Sequence, residues 1–486
     1  MTRLLRTAVP VLSLFAAAML LAGCVNLAPA YQQPAAPVPA AFPATGLSAP
    51  EAQAPASIGW REFFLDARLR RVVELTLANN RDLRVAALNI ERARAQYGIA
   101  RAEAWPSVEL GASASRARTS GTTGTGSPSR VSSQYSVDLG LVSYELDLFG
   151  RVRNLGDAAL ESYFSVDETR RSAQISLVAE VASAWLALEA DTQRLKLARD
   201  TLASQQKSFE LIERSHALGA QSGLALAQAQ TTVDSARLQA ATYDSQVEQD
   251  RNALALLAGG PLPDDLLPAP GAPLAAPVAQ LLVPPAGLPS SVLLQRPDVL
   301  AAEHVLRAGN ADIGAARAAF YPRISLTGAA GTASGTLSGL FKSGSSTWSF
   351  VPSISLPIFD GGANRANLKV AEVQQQIQLA NYEKTLQTAF REVADALAAR
   401  RTLAERMAAQ QSLVAASQRS YELSQALFRS GGGAYLDTLI AQRALYLVQQ
   451  DLIDLQRVEQ VNRLTLYKVL GGGWSEASNA VPVAAP

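Results

Sequence analysis

The 486-residue chain has one cysteine, two histidines and three methionines. A single thiol leaves no intramolecular disulfide to form. The histidines, His216 and His304, lack metal-ligand spacing: His216 falls on a helical seam and reads as a packed or hairpin-tip residue, and His304 lies in a helical run beside Glu303. An excess of one charge is also missing. Lys+Arg number 43 against 42 Asp+Glu, so nothing electrostatic points to nucleic acid as a partner. No apolar run after residue 24 reaches the ~18 residues of a transmembrane helix. A mature chain that crosses a membrane must then do so as a β-barrel. The glycine runs 431–433 and 471–473 lack the Lys-Ser/Thr of a phosphate loop. With no nucleophile–base pair and no cofactor motif, the expectation is a protein that is not an enzyme: no catalytic residue, no metal, no cofactor.

What is present begins at Leu21-Ala22-Gly23-Cys24. It follows an apolar run, Val9 to Leu21, which is preceded by Arg3 and Arg6. This is a charged region, an apolar region and a small-residue cleavage site, in the form of a bacterial lipobox. The lone thiol at this position reads as a lipid attachment point, so that the mature chain would start at Cys24, be exported and be tethered to a membrane by acyl chains. An ordinary secretory peptide with an incidental cysteine is the competing reading.

Two halves of the chain align at an offset of about 212 residues. Ala100-Arg101 and Trp105-Pro106 match Ala316-Arg317 and Tyr321-Pro322, Phe149 matches Phe359, Ala229-Gln230 matches Ala441-Gln442, and Gly259-Gly260 matches Gly471-Gly472. The repeat is far longer than a solenoid unit, so it reads as a duplicated half-domain. Each half is expected to run helix, strand, strand, long helix, helix. The predicted layout is a signal peptide 1–23, a lipid-anchored Pro-rich segment 24–58, a first repeat 59–260, a Pro-rich linker 261–297, a second repeat 298–473 and a tail 474–486.

Val181, Leu188, Leu195, Leu202 and Phe209 are spaced by seven, with Val178 and Trp185 on the complementary seam. Leu379, Leu386, Val393, Met407, Val414, Tyr421 and Phe428 keep the same step, broken at Arg400. A sustained seven-residue step predicts left-handed coiled-coil packing. Helices from the 150s to 216 and from the 360s to 428 would be on the order of 85–100 Å long at 1.5 Å per residue. Glycine clusters at Gly219 and at Gly431 to Gly433 suit hairpin turns into returning helices 224–258 and 434–470. A long bundle without a channel satisfies the same pattern.

Strands are predicted at about 105–116, 131–149, 322–333 and 346–359. Val108, Leu110, Ala112 and Ala114 alternate with Ser107, Glu109, Gly111 and Ser113; Tyr135, Val137, Leu139 and Leu141 alternate with Ser136, Asp138 and Gly140. The phase slips at Val142, as a bulge would produce. In the second half Ile324, Leu326, Gly328 and Ala330 share one parity, as do Trp348, Phe350, Pro352, Ile354, Leu356 and Ile358. Period-two alternation marks a sheet with one apolar face, a pattern that a soluble sandwich shares. Strand length, aromatics near the strand ends (Trp105, Tyr135, Tyr321, Trp348) and nearly uncharged Gly/Ser/Thr tips at 119–130 and 334–346 favour a membrane barrel. Pro352 argues against a regular central strand; a seam between subunits or a bulge tolerates it. Four strands cannot close a barrel when the smallest has about eight. Two copies would give eight strands and three would give twelve; the pattern alone does not choose.

Three stretches stand out: Trp60-Arg61-Glu62-Phe63-Phe64-Leu65-Asp66 with Leu69 and Asn79-Asn80-Arg81-Asp82-Leu83; Gly287-Leu288-Pro289-Ser290 through Arg296-Pro297-Asp298-Val299, Ala302-Glu303, Ile313-Gly314-Ala315-Ala316-Arg317, Phe320-Tyr321-Pro322 and Leu326-Thr327-Gly328; and Tyr144 to Phe149-Gly150-Arg151. They resemble the outer-membrane factors of Gram-negative tripartite efflux systems, the TolC-like family, in its lipoprotein branch serving RND pumps. The resemblance covers about residues 20–473. It implies an α+β membrane protein: a homotrimeric β-barrel, four strands per chain and twelve in total, continued by a long α-helical coiled-coil tunnel built from two tandem repeats. It implies an outer-membrane destination, with which Val25 after the cysteine agrees. The implied partners are a periplasmic adaptor, an inner-membrane RND transporter and outer-membrane lipid. The function would be passive exit of drugs or other small toxic molecules through a periplasmic gate. The alternatives are export of metal ions or protein (type I), or a non-conducting structural lipoprotein. The family's gate often reads Asp-x-Leu-Asp-Ala; here Asp437-Thr438-Leu439-Ile440-Ala441 keeps the first aspartate and replaces the second by Ile440. Asp437 is then a gate carboxylate and Ile440 an apolar second ring, unless Asp437 is simply an exposed helix-start carboxylate. By the same resemblance Gly219, Gly223, Gly431, Gly432 and Gly433 mark the adaptor-docking tips.

Overall fold

A computed structural model describes residues 25–42, 58–119, 130–268 and 289–474. The signal segment, Cys24, the strand tip 120–129, most of the Pro-rich linker and the tail beyond Trp474 lie outside the described residues. The helices α1 (Trp60–Phe63), α2 (Ala67–Asn79) and α3 (Arg81–Ala102) precede β1 (Val108–Thr119) and β2 (Arg130–Leu146), followed by α4 (Arg151–Ala217) and α5 (Gly223–Ala258). Then come α6 (Pro297–Ala318), β3 (Arg323–Ser334), β4 (Ser346–Ser355), α7 (Ala363–Arg429) and α8 (Tyr435–Val469). The chain divides into two compact units, one of Met1–Ala35, Ile90–Val166 and Ala301–Tyr382, the other of Ala36–Asn89, Asp167–Leu300 and Glu383–Pro486.

The first unit holds a four-stranded antiparallel meander in the order β1-β2-β3-β4. Its register turns the alternation of each strand into rows across the sheet. Leu110 pairs with Leu139, Leu139 with Ala330 and Ala330 with Trp348; Val108, Leu141, Gly328 and Phe350 form another row of the same parity. The rows of opposite parity hold Gly111, Asp138, Gly331 and Thr347, and Glu109, Gly140, Ala329 and Ser349. One face is thus aliphatic and aromatic and the other small and polar. The phase slip is a real irregularity: the β2–β3 register shifts between Leu141 and Tyr144, and Ser143 has φ 40°. Pro352 lies in β4, which among the described residues pairs only with β3, the edge position where a missing N–H is tolerated. β1 starts at Val108 because Trp105 still belongs to the turn closing α3, its N–H donating to Ala102 at 3.0 Å. At the foot of β2, Glu145 takes a bidentate pair from Arg151, both bonds 2.8 Å, and a contact from Arg323.

The second unit is helical. Trp60, Phe63 and Phe64 are fully buried, with Phe63 stacked on Tyr467 at 3.9 Å and the Tyr467 hydroxyl donating to Ile58 at 2.7 Å. Asp66 caps α2 by accepting from Arg68 and Leu69; Asn80 accepts from Leu83 and donates to Leu257, tying the start of α3 to the end of α5. Arg296 is buried, donating to Asp298 and Glu392 and to the Val469 carbonyl at the end of α8. The seven-residue seams face inward. Val181, Leu188, Leu195, Leu386 and Val393 are buried, and Leu202, Phe209, Met407, Val414, Tyr421 and Phe428 are half-buried. The sequence expectation needs one correction. An 18-residue stretch of α4 is, by length and composition, apolar enough to span a membrane. Of that stretch 67% is buried, with Ile175, Val178, Val181 and Trp185 in the core, so its apolarity serves helix packing.

Glu189, on α4, is 6% exposed. Burial, reinforced by the charge of Asp66 and opposed by Arg68, pushes its carboxyl up to about 7. A carboxyl raised in the folded state supports the fold fully below its unfolded pKa, and that support is lost as pH rises through the folded value. Glu189→Gln removes the loss. Between about pH 5 and pH 8 the variant should therefore gain stability on the wild type, by on the order of 2–3 kcal/mol at the upper end, read as a Tm difference that grows with pH. A Tm difference that stays constant across that range would contradict this account of Glu189.

Candidate functional site

The residues expected to form the gate and the docking tips lie at the two turns that join α4 to α5 and α7 to α8, within the helical unit. Gly219, at φ 76°, donates to the His216 carbonyl at 2.8 Å while Ala220 donates to that of Ser215 at 2.8 Å. In the second turn Gly431, at φ 77°, donates to Phe428 at 3.1 Å and Gly432 to Leu427 at 2.9 Å. Both are Schellman closures, in which a left-handed residue satisfies the last carbonyls of a helix. Glycine takes that conformation without the strain a Cβ would bring. Gly433 packs tightly, since a Cβ there would lie 3.1 Å from the Leu427 Cβ. Gly223 is the first residue of α5, after a Ser222 cap that accepts from Ala225.

The turns are held together by a small core. Ile212 of α4, Ala229 of α5, and Tyr435 and Leu439 of α8 are buried, with Phe209, Ala225, Leu226 and Phe428 packed against them. The Phe428 and Tyr435 rings approach to 5.3 Å, Thr438 donates to the Ser424 carbonyl at 3.2 Å and Gln442 reaches Ser204 at 3.5 Å. All four helix ends are therefore cross-linked. Motif reading missed this cluster; its signal was the group of apolar residues flanking each glycine turn.

Asp437 lies in the first turn of α8, its N–H bonded to Ala434 at 3.2 Å, where the helix dipole favours a carboxylate. It is exposed, as is Ile440 one turn on, while Thr438 and Leu439 between them face the core. Residues three apart share a helix face, so Asp437 and Ile440 project together from the surface. Leu436 and Leu447 add to the exposed apolar surface of α8, and Leu218 and Leu224 leave an apolar tip on the first turn. His216 is exposed at that tip, its ring nitrogen 2.8 Å from the Gln221 carbonyl. His304 lies elsewhere, in the first unit, bonded to Glu161 at 2.6 Å. Cys24 lies outside the described residues. Leu439→Ala should cost roughly 2–4 kcal/mol by emptying the small core between the turns. Faster hydrogen exchange at residues 205–230 and 425–440 is the measurement, and unchanged exchange would show that the core does not hold the tips.

The chain matches the model of a family described as "Outer membrane efflux protein" over residues 72–260 and 288–472. It is 46% identical over 468 residues to the antibiotic efflux pump outer membrane protein ArpC of Pseudomonas putida, covering 96% of each chain. It is 47% identical over 468 residues to the solvent efflux pump outer membrane protein SrpC of Pseudomonas putida, covering 95% of this chain and 98% of SrpC. The fold superposes on the open state of the Neisseria gonorrhoeae MtrE outer membrane channel with a TM-score of 0.83 and 39% identity, over 94% of this chain and 100% of MtrE. On its sequence, its sheet and its paired helical hairpins, the chain belongs to the outer membrane efflux protein family.

Proposed function

We propose that three copies of this chain form one twelve-stranded barrel in the outer membrane, continued by an α-helical tunnel in the periplasm. The assembly is the passive exit duct of a tripartite efflux system, docked through its hairpin turns to a periplasmic adaptor and driven by an inner-membrane RND pump. The observation that carries this reading is the sheet. It has a coherent apolar face, with Leu110 74%, Trp348 81% and Ile354 72% exposed, and two edge strands, β1 and β4, without outer neighbours among the described residues. Such a sheet suits lipid on one face and water on the other, and it needs further strands to close. The duplication fits as well. α4 and α7 have 67 residues each, and Schellman closures recur at 219 and 431 and at 259 and 471, 212 residues apart in both cases. Lipidation at Cys24 tethers the chain to the same membrane.

The relatives belong to antibiotic and solvent efflux pumps, so the cargo assigned here is drugs and small apolar toxicants selected by the pump. The test is dye and drug accumulation in cells that lack other exit ducts but carry the cognate adaptor and pump. Accumulation should fall only when this chain is present. No difference, with the protein in the outer membrane, would move the reading to export of metal or protein.

Three copies of Asp437 would form a cation-attracting constriction at the tunnel end, with Ile440 as an apolar ring one turn further along. Trivalent cations should then block the conductance of the reconstituted trimer. In Asp437→Ala the half-blocking concentration should rise about tenfold, the equivalent of ~1.4 kcal/mol. Unchanged block in the variant would remove Asp437 from the gate.

A further inference from the structure

The motif around Ile313-Gly314-Ala315-Ala316-Arg317 is not used by a gate, a tip or the membrane face of the sheet. Its residues instead hold the segment that follows Cys24. Glu303, Arg307, Asn310, Gly314 and Arg317 are spaced four, three, four and three along α6, the step of a single helix face. Along that face the first described residues run antiparallel to the helix. Tyr31 donates to Glu303 at 3.1 Å and Gln33 to its other oxygen at 3.4 Å. Arg307 pairs with Glu303 at 2.6 Å and lies over the Tyr31 ring at 5.0 Å. Further along, Asn310 donates to the Pro29 carbonyl at 2.6 Å and Arg317 to that of Leu27 at 3.2 Å. At Gly314 a Cβ would lie 2.8 Å from the Ala28 nitrogen and 2.8 Å from its Cβ, so a larger residue there would expel the segment. The run ends where the Val25 N–H donates to the Leu148 carbonyl at 3.2 Å, just past the foot of β2.

We infer that this face of α6 is a seat that registers the lipid-bearing N-terminus on the fold, so that the acyl chains enter the membrane at one fixed place beside the foot of β2. The inference rests on lipidation at Cys24. Adjacent Cα atoms are about 3.8 Å apart, so the Val25–Leu148 hydrogen bond sets where the chain leaves the seat. The seat reads main-chain carbonyls at Leu27 and Pro29, which an extended Pro-containing segment leaves free of internal hydrogen bonds. β2 is a central strand of the sheet, flanked by β1 and β3. The acyl chains are thereby directed to their own chain's sheet and away from the seams that β1 and β4 make with other copies. A tether through a loose linker would let them spread around the whole barrel.

The test uses the full-length protein in outer membranes, grown with a palmitate analogue that carries a diazirine near its carboxyl end. After irradiation, cross-links are mapped by mass spectrometry. In the wild type they should concentrate in peptides around 105–110 and 142–149, and Cys24→Ser should carry no label. In Asn310→Ala/Arg317→Ala that concentration should be lost while labelling and trimer yield persist. Tyr31→Ala, a change in the segment itself that leaves every α6 residue in place, should lose it in part and covers the case in which the double variant fails to assemble. Scattered cross-links in the wild type, or the same concentration in the variants, would overturn the seat. Absence of label in the wild type would overturn the lipidation reading and the inference with it.

Discussion

Backbone hydrogen bonding in hydrocarbon is the constraint on which the rest of this architecture depends. Every N–H and C=O in a bilayer needs a protein partner, because no water is available there. Among the described residues the meander satisfies β2 and β3 on both sides and leaves β1 and β4 each with one unpaired edge. An exposed edge with an aromatic and aliphatic face would be an aggregation hazard in a soluble protein. In the proposed duct it is what makes copies of the chain close on one another. Pro352 suits this arrangement, since an edge strand can lack a donor where a central one cannot.

The helical unit solves a different problem, how to bury long seams without leaving helix ends unsatisfied. The seven-residue spacing supplies the burial, and Schellman closures supply donors for the final carbonyls at Gly219, Gly259, Gly431 and Gly471. Charged groups that enter the interior do so with partners. Arg296 is satisfied by Asp298, Glu392 and the end of α8. Arg68 serves Asp66 and the Leu267 carbonyl at 3.3 Å. At Glu189 burial holds the carboxyl up.

The stretches that carry the family resemblance turn out to be packing devices. Trp60, Phe63 and Phe64 fill the core, Asp66 and Asn80 cap helices, Arg296 clamps three elements, and Glu303 to Arg317 hold the N-terminal segment. The residues with the best claim to a direct role in passage, Asp437 and Ile440, stand exposed on one helix face. In the proposed trimer, copies of the chain bring them together.

What the chain determined locally was legible before any coordinates. Periods of two and of seven fixed which residues share a face, glycine marked the turns, and the slip at Val142 announced the irregularity found at Ser143. Each depends on residues a few positions apart, so the pattern is written in order along the chain. Tertiary structure alone decided which rows meet across β1 to β4, how Tyr435 and Leu439 join Ile212, and why Glu189 sits beside Asp66. It also decided that α6 serves as a seat for residues more than 270 positions earlier. Those pairings join segments that the sequence keeps far apart. Hydrogen-bond partners and burial at such distances follow from how elements pack, and no local period encodes them.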